Sequence, residues 1–204
     1  MSVELFLAYL LACIVITLVP GPTVTLIVAN TLTHGTRAGL LNVAGTQLGL
    51  AVFVGVLVVG LASVIEIMGV WFDWVRFLGA AYLVWIGVKM MRSSGRLDDP
   101  GQTPAPRGGF FLQGFLVMLS NPKVLVFFGA FIPQFVDPSG DYVWQVVMLG
   151  ATAMLTAAIT DGAYALLTGR ARLFLTRARV RLISKVSGVF LIGGGIWLAL
   201  TRTR

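Results

Sequence analysis

The chain contains few charged residues, one cysteine and one histidine. Of its 204 residues, 11% are charged and 57% are hydrophobic, and its mean hydropathy is +0.92. An ordinary soluble domain carries roughly 25% charged residues, so this chain lacks the side chains that would cover a surface in water. The single cysteine, Cys13, excludes an internal disulfide and a cysteine metal cluster. The composition predicts an integral membrane protein with no cofactor and no metal site.

Long stretches without charge predict the membrane-spanning helices. Residues 5–36 contain no acidic or basic side chain except His34, and residues 38–65 contain none. Because a span needs about 20 apolar residues, the chain has room for six spans. We place them near 5–29, 39–64, 71–91, 110–132, 142–168 and 183–200. The sequence therefore predicts an all-α transmembrane protein whose residues 1–204 form one domain, and the first helix lacks the basic start of a cleavable signal peptide.

Basic residues concentrate in the connections after the first, third and fifth predicted spans. They are Arg37, Lys89, Arg92, Arg96, Arg107, Arg170, Arg172, Arg177, Arg179, Arg181 and Lys185. The other two connections contain acidic residues only, among them Glu66 and Asp137. Since Lys and Arg favour cytoplasmic loops, we expect both termini to lie outside. Arg76, Arg202 and Arg204 are exceptions, and a seventh element or a short sixth helix would change the placement of the C-terminus. The formal net charge of +7 is then explained by inner-face loops that contact anionic lipid, and no nucleic acid is expected as a partner.

The two halves of the chain correspond weakly but in the same order. Repeat 1 covers about 1–92, a Pro/Gly-rich linker covers 93–109, and repeat 2 covers about 110–204. The first predicted helix is interrupted by Pro20-Gly21-Pro22 and the fourth by Asn121-Pro122. Because each half has three helices, the second half enters the membrane from the opposite side. This pattern predicts an inverted repeat, with chance similarity between apolar segments as the alternative.

The interruptions leave backbone carbonyls without donors. Proline has no N–H, so the carbonyl four residues earlier loses its helix hydrogen bond. The carbonyls affected are those of Ile16, Leu18 and Met118. In a bilayer such groups need a cavity, a water or a ligand. If the helix restarts at Pro22, the amides of Thr23, Val24 and Thr25 can bind an anion, and Gly21 adds backbone freedom and leaves space for it. A plain proline kink is the alternative.

Two charged residues fall well inside predicted spans, Lys123 after the second break and Asp161 in the fifth helix. Each costs at least about 2.5–3.5 kcal/mol at the bilayer centre, so a function is the default expectation. Helical side chains lean toward the N-terminus of their helix, and these two helices run in opposite directions. We therefore expect a direct or water-bridged pair. The pair is either static or a switch in which Asp161 takes a proton or an ammonium and Lys123 attracts a carboxylate.

The second predicted helix carries polar residues that could face the same cavity, namely Asn42, Thr46 and Gln47. The same helix has Gly45 and Gly49, which are spaced as a seam for close helix packing. His34 is assigned to the inner loop and given no role.

Several motifs resemble the lysine exporter (LysE/RhtB) family, and the resemblance covers nearly the whole chain. They are Val19-Pro20-Gly21-Pro22, Gly35-Thr-Arg-Ala-Gly39, Gly79-Ala-Ala-Tyr82-Leu-Val-Trp-Ile-Gly87 and Phe115-Leu-Val-Met-Leu-Ser-Asn121-Pro122-Lys123. The resemblance implies a six-helix transporter of the bacterial inner membrane that expels amino acids or related compounds and uses the proton gradient.

Together these features predict an exporter of a small amino acid or similar zwitterion that works by proton antiport and alternating access. The predicted substrate-binding residues are Pro20, Gly21, Pro22, Thr23, Asn42, Gln47, Asn121, Pro122, Lys123 and Asp161, with Asp161 also coupling protons. The protein could form a homodimer. A non-transporting assembly subunit and a cation exporter are the alternatives. An enzyme is not expected, because Asp161 has no second carboxylate at its depth and the single histidine lies outside the spans.

Overall fold

The computed structural model describes residues 2–59, 77–78, 80–92, 105–137, 139–172 and 176–200. Within these ranges the chain is almost entirely helical and contains no strand. The helices are α1 (Val3–Leu18), α2 (Pro22–His34), α3 (Thr36–Val59), α4 (Ala80–Met91), α5 (Gly109–Leu119), α6 (Pro122–Val126), α7 (Tyr142–Ala171) and α8 (Arg177–Leu200). After α6 the chain continues as a π-helical turn, Phe127–Phe131, and a 3-10 turn, Ile132–Phe135. The protein is thus an all-helical membrane protein, as the composition predicts.

Both predicted breaks are confirmed. Helix α1 ends at Leu18 and α2 begins at Pro22, with an angle of 47° between them. Helix α5 and the segment Pro122–Phe135 meet at 48°. Proline is the first residue of both restarting helices, a position where its missing N–H costs nothing and its fixed φ fits the helix.

Helices α3 and α7, with 24 and 30 residues, are each long and apolar enough to cross a membrane. Each bent pair adds one span if it crosses as a unit, so the described residues provide up to four. The end of the second predicted span at 60–64, the start of the third at 71–76, residues 93–104 of the linker and Glu66 lie outside the described residues. The described residues therefore account for up to four of the six predicted spans.

Two predicted boundaries are wrong at the ends with basic residues. His34 was expected in a loop, but it is the last residue of α2, because the helix continues until Gly35 turns the chain at φ 90°. Helix α8 begins at Arg177, six residues before the predicted 183. Arg179 and Arg181 therefore lie on its first turns instead of in the preceding loop.

Glycines bring the helix backbones into contact. The Gly45 position faces the Phe111 carbonyl of α5, and Gly49 faces Met118, where an added methyl group would lie 2.7 Å from Cγ. This confirms the predicted packing seam on α3. Between α4 and α8 the contact is reciprocal: a methyl group added at Gly87 or at Gly188 would lie 2.6 Å from the carbonyl oxygen of the other. The close approach at Gly45 and Gly49 fixes α5 against α3 and so positions the second break, which follows α5.

Candidate functional site

Three segments lie side by side along the site: α1, the segment that restarts at Pro122, and α7. At one end the Tyr9 ring lies 5.1 Å from the ring of Phe135 and 6.4 Å from that of Phe131. The Tyr9 hydroxyl donates to the Leu149 carbonyl at 2.9 Å. We call this the Tyr9 end and the opposite side, where the two helix breaks meet, the break end. A cavity of about 50 Å³ lies between them.

Lys123 crosses from α6 to the break between α1 and α2. Its Nζ donates to the carbonyl of Ile16 at 2.9 Å and to that of Val19 at 2.8 Å. The Ile16 carbonyl is one of those that a proline deprives of its helix donor, so the ammonium group replaces the missing N–H. Because an ammonium has three donors, one remains for a group in the cavity.

Tyr164 replaces the second missing donor. Its hydroxyl donates to the Leu18 carbonyl at 3.0 Å, the carbonyl that Pro22 leaves open. The Met118 carbonyl, which Pro122 leaves open, accepts from the backbone N–H of Asn121 at 3.1 Å. Sequence reasoning identified the three carbonyls but missed Tyr164. Its position three residues after Asp161, on the same face of α7, was the available signal.

Asn121 joins the two breaks. Its Oδ1 accepts from the Lys123 backbone N–H at 3.0 Å and caps α6, while its Nδ2 donates to Thr23 Oγ1 on α2 at 3.4 Å. Asn121 and Thr23 are buried, with 0% and 5% of their surface exposed. The two interrupted helices therefore touch at their restarting ends, which the sequence predicted only as separate features.

Asp161 is buried, with 4% of its surface exposed, and it lines the same cavity as Lys123. In the described ranges no hydrogen bond and no ion pair within 4.0 Å joins its carboxylate to another residue. Of the predicted direct or water-bridged pair with Lys123, the direct form is not seen, because the ammonium is held by the carbonyls of α1. The water-bridged form stays a prediction. A buried carboxylate that faces open space is suited to a proton or a cationic group. The cavity has room for about three to five waters, so it is smaller than a whole amino acid.

Gly21 lies beside the ammonium group. A methyl group added there would lie 3.6 Å from both Cε and Nζ of Lys123. The φ of −123° and ψ of −168° at Gly21 are extended values that any residue adopts. The predicted need for backbone freedom at Gly21 is therefore wrong. The missing side chain matters because it leaves the approach to Lys123 open.

The predicted amide cradle at the start of α2 is smaller than expected. The Thr25 amide donates to the Gly21 carbonyl at 2.9 Å, which makes it part of the first helical turn. The amides of Thr23 and Val24 precede that first intrahelical bond, and both residues line the cavity.

Of the ten predicted site residues, three line the cavity, namely Thr23, Lys123 and Asp161. Five more belong to the two breaks beside it: Pro20, Gly21, Pro22, Asn121 and Pro122. The other two, Asn42 and Gln47, do not line the cavity. Asn42 accepts from Asn30 at 2.7 Å and donates to the Phe110 carbonyl at 2.6 Å. Gln47 is partly buried, and its Nε2 has no hydrogen-bond partner among the described residues. Helix α3 reaches the cavity with Leu50 instead, about 12 Å along the helix from Asn42 at 1.5 Å per residue.

Two broken helices that meet beside a cavity lined by a lysine and an aspartate, in an all-helical membrane protein, are typical of the class of small-solute membrane transporters. Comparison with known families agrees. The family model described as LysE type translocator matches residues 14–202, and the chain belongs to that family.

Several curated proteins resemble the chain over its full length. It is 30% identical over 204 residues to a Vibrio cholerae protein described as an uncharacterized membrane protein, covering 99% of this chain and 100% of that protein. It is 31% identical over 205 residues to the homoserine/homoserine lactone efflux protein of Salmonella typhi, covering 99% of each. A leucine efflux protein of Klebsiella pneumoniae is 36% identical over 135 residues, which cover 65% of this chain and 63% of that protein. No solved structure matches.

Proposed function

We propose that this protein exports a small amino acid or a closely related zwitterion across the bacterial inner membrane. The observation that carries the proposal is the Asp161 carboxylate, which is buried, accepts no hydrogen bond from the described residues and lies in the same cavity as the Lys123 ammonium group. A site that binds a zwitterion needs one negatively and one positively charged group. The ammonium of the zwitterion binds Asp161, and its carboxylate binds the third N–H of Lys123 and the first amides of α2. The names of the relatives from Salmonella and Klebsiella favour an amino acid over a metal cation.

Proton antiport is supported by Asp161 being the one carboxylate among the described residues that line the cavity. Asp161 holds either a proton or the substrate ammonium, so binding of one requires release of the other. A proton that enters from outside displaces the substrate there, and substrate that binds inside displaces the proton into the cytoplasm. One proton moves inward for each zwitterion that moves outward.

Alternating access is supported by the paired features of the two halves. Lys123 of one half bonds to the break in the other, and Asn121 bonds to Thr23. The reciprocal contact of Gly87 and Gly188 is the kind expected where a pseudo-twofold axis passes between α4 and α8. The proposal has six spans as two inverted repeats, both termini outside and basic connections that contact anionic lipid on the inner face.

Asp161→Asn in reconstituted vesicles tests the proposal. Vesicles loaded with single amino acids are given a pH gradient, and substrate efflux and proton entry are both recorded. We expect Asp161→Asn to abolish proton-driven efflux while the protein still inserts and runs as a single species in detergent. Asp141→Asn is the matched control: Asp141 caps α7 by accepting from the Trp144 amide at 2.8 Å, and Asn caps equally well, so its rates should equal those of the wild type.

Two results would contradict the proposal. If Asp161→Asn transports at the wild-type rate with the same proton entry, Asp161 does not couple. If the wild-type protein moves no amino acid and no zwitterionic analogue, it is a non-transporting subunit. Uptake of a metal cation alone would instead support the cation exporter.

A further inference from the structure

The cavity has a charged end and an apolar end. On α7, Ala153 and Ala157 line it toward the Tyr9 end and Asp161 lines it at the break end. On the segment after the second break, Lys123 lies at the break end and Phe128 toward the Tyr9 end. The charged groups of both segments therefore lie at the same end, although the two segments run in opposite directions.

The distance between the charged end and the apolar end of the cavity is large compared with the length of an amino-acid backbone. At 1.5 Å per residue, Ala153 lies about 12 Å from Asp161 along α7, and Phe128 lies about 7 Å from Lys123. On α1, Cys13 lies about 6 Å nearer to the Tyr9 end than Thr17, and both line the cavity.

Among the described lining residues of the apolar end, none carries a charge. The hydroxyl of Thr156, which lies between the two alanines, is already used: it donates to the carbonyls of Thr152 at 2.9 Å and Ala153 at 3.0 Å. A charged side chain placed at this end would lose its hydration and gain no partner.

We propose that the cavity widens to admit the substrate, which binds with its ammonium and carboxylate at the break end and its side chain directed toward the Tyr9 end. Ala153, Ala157 and Phe128 then determine specificity: the site accepts uncharged, mainly aliphatic side chains and rejects basic and acidic ones. The inference rests on the proposed export of a zwitterion and adds the orientation and the side-chain class.

Residue 157 sets the width of the apolar end, so a size series there tests the inference. Alanine, leucine, lysine and aspartate are compared as substrates of the wild type, Ala157→Val and Ala157→Leu in vesicles. In the wild type we expect kcat/KM for leucine to exceed that for alanine by roughly tenfold or more, since one methylene in an apolar pocket is worth 10-fold to 200-fold. Lysine and aspartate should be transported at least about 100-fold less efficiently than leucine, because their charges remain unpaired.

The larger residues should narrow the pocket progressively. Ala157→Leu is expected to lower kcat/KM for the substrate leucine by about tenfold or more, and Ala157→Val should lower it by less. For the substrate alanine, kcat/KM should change less than about twofold. Ala151→Leu is the matched control, because Ala151 lies on the exposed side of α7, and it should leave both substrates unchanged. Phe128→Leu changes the pocket in the opposite direction and should raise the value for phenylalanine relative to leucine.

The outcomes separate the two proposals. If no amino acid is transported by the wild type, the proposed function fails. If the wild type transports lysine as efficiently as leucine, only the orientation and side-chain class are wrong. The same holds if Ala157→Leu lowers kcat/KM equally for leucine and for alanine. If both residue 157 variants fail to fold in detergent, Phe128→Leu decides, and an unchanged ratio of phenylalanine to leucine overturns the inference.

Discussion

Replacing Tyr164 with phenylalanine removes one hydroxyl group and leaves the ring in place. That hydroxyl is the donor to the Leu18 carbonyl, which Pro22 prevents from forming a helix bond. Leu18 is 54% exposed on a surface that the proposed topology places in the bilayer, or in detergent after purification, where a carbonyl left without a partner costs about 1–3 kcal/mol. We therefore expect Tyr164→Phe to lower the free energy of unfolding by that amount.

Tyr9→Phe is the matched comparison. The Tyr9 hydroxyl also donates to a carbonyl, that of Leu149, but Leu149 lies inside α7 and its carbonyl keeps the helix N–H of Ala153. Only an additional hydrogen bond is lost, and such bonds average about 0.6 kcal/mol in membrane proteins. Tyr164→Phe should therefore be more destabilising than Tyr9→Phe by up to about 2 kcal/mol, even though Tyr9 is the more deeply buried tyrosine.

Thermal unfolding of the purified variants in one detergent measures the difference. In a soluble domain of this length 1 kcal/mol corresponds to roughly 2–4 °C in Tm, so the Tm of Tyr164→Phe should fall below that of Tyr9→Phe by several degrees. Equal Tm values, or a lower Tm for Tyr9→Phe, would show that the Leu18 carbonyl does not depend on Tyr164. The account of how the break is stabilised would then be wrong.

Three further outcomes are expected. Asn121→Ala removes the cap on the Lys123 amide and should cost about 0.5–2 kcal/mol in detergent unfolding, whereas Asn121→Ser, which can still cap, should cost clearly less. Gly114→Ala should lower the Tm, because the added methyl group meets backbone atoms of α3, while Gly55→Ala has open space within 4 Å and should leave the Tm unchanged or raised. The thiol of Cys13, which is 1% exposed and lines the cavity, should react slowly with N-ethylmaleimide and more slowly still with saturating substrate; labelling unaffected by every transported amino acid would place the binding site elsewhere.

The breaks could be predicted from the sequence because their cause is covalent. Pro20, Pro22 and Pro122 cannot donate a backbone hydrogen bond in any fold, so the carbonyls they leave open follow from chain position alone. The rarity of charge likewise singled out Lys123 and Asp161, and the structure places both beside one cavity.

The partners of those carbonyls could not be predicted, because they come from contacts distant in the chain. Nor could the rotation of α3: its sequence is apolar on most sides, so no pattern defines which face meets the cavity, and Asn42 faces Asn30 and Phe110 instead. The end of α2 did have a local signal. A glycine after the last helical residue is a common helix terminator, and Gly35 has that role.

The origin of the carbonyl donors has a consequence for biosynthesis. The Leu18 carbonyl accepts from Tyr164, 146 positions later in the chain, and the Val19 carbonyl accepts from Lys123, 104 positions later. At 5–20 residues per second of translation, the hydroxyl that completes the first helix is made about 7–30 s after the carbonyl it serves. During that interval the first helix must be accommodated by the insertion machinery or by water. The hydrogen bonds that stabilise its bend are therefore among the last to form, although the prolines that cause the bend are among the first residues made.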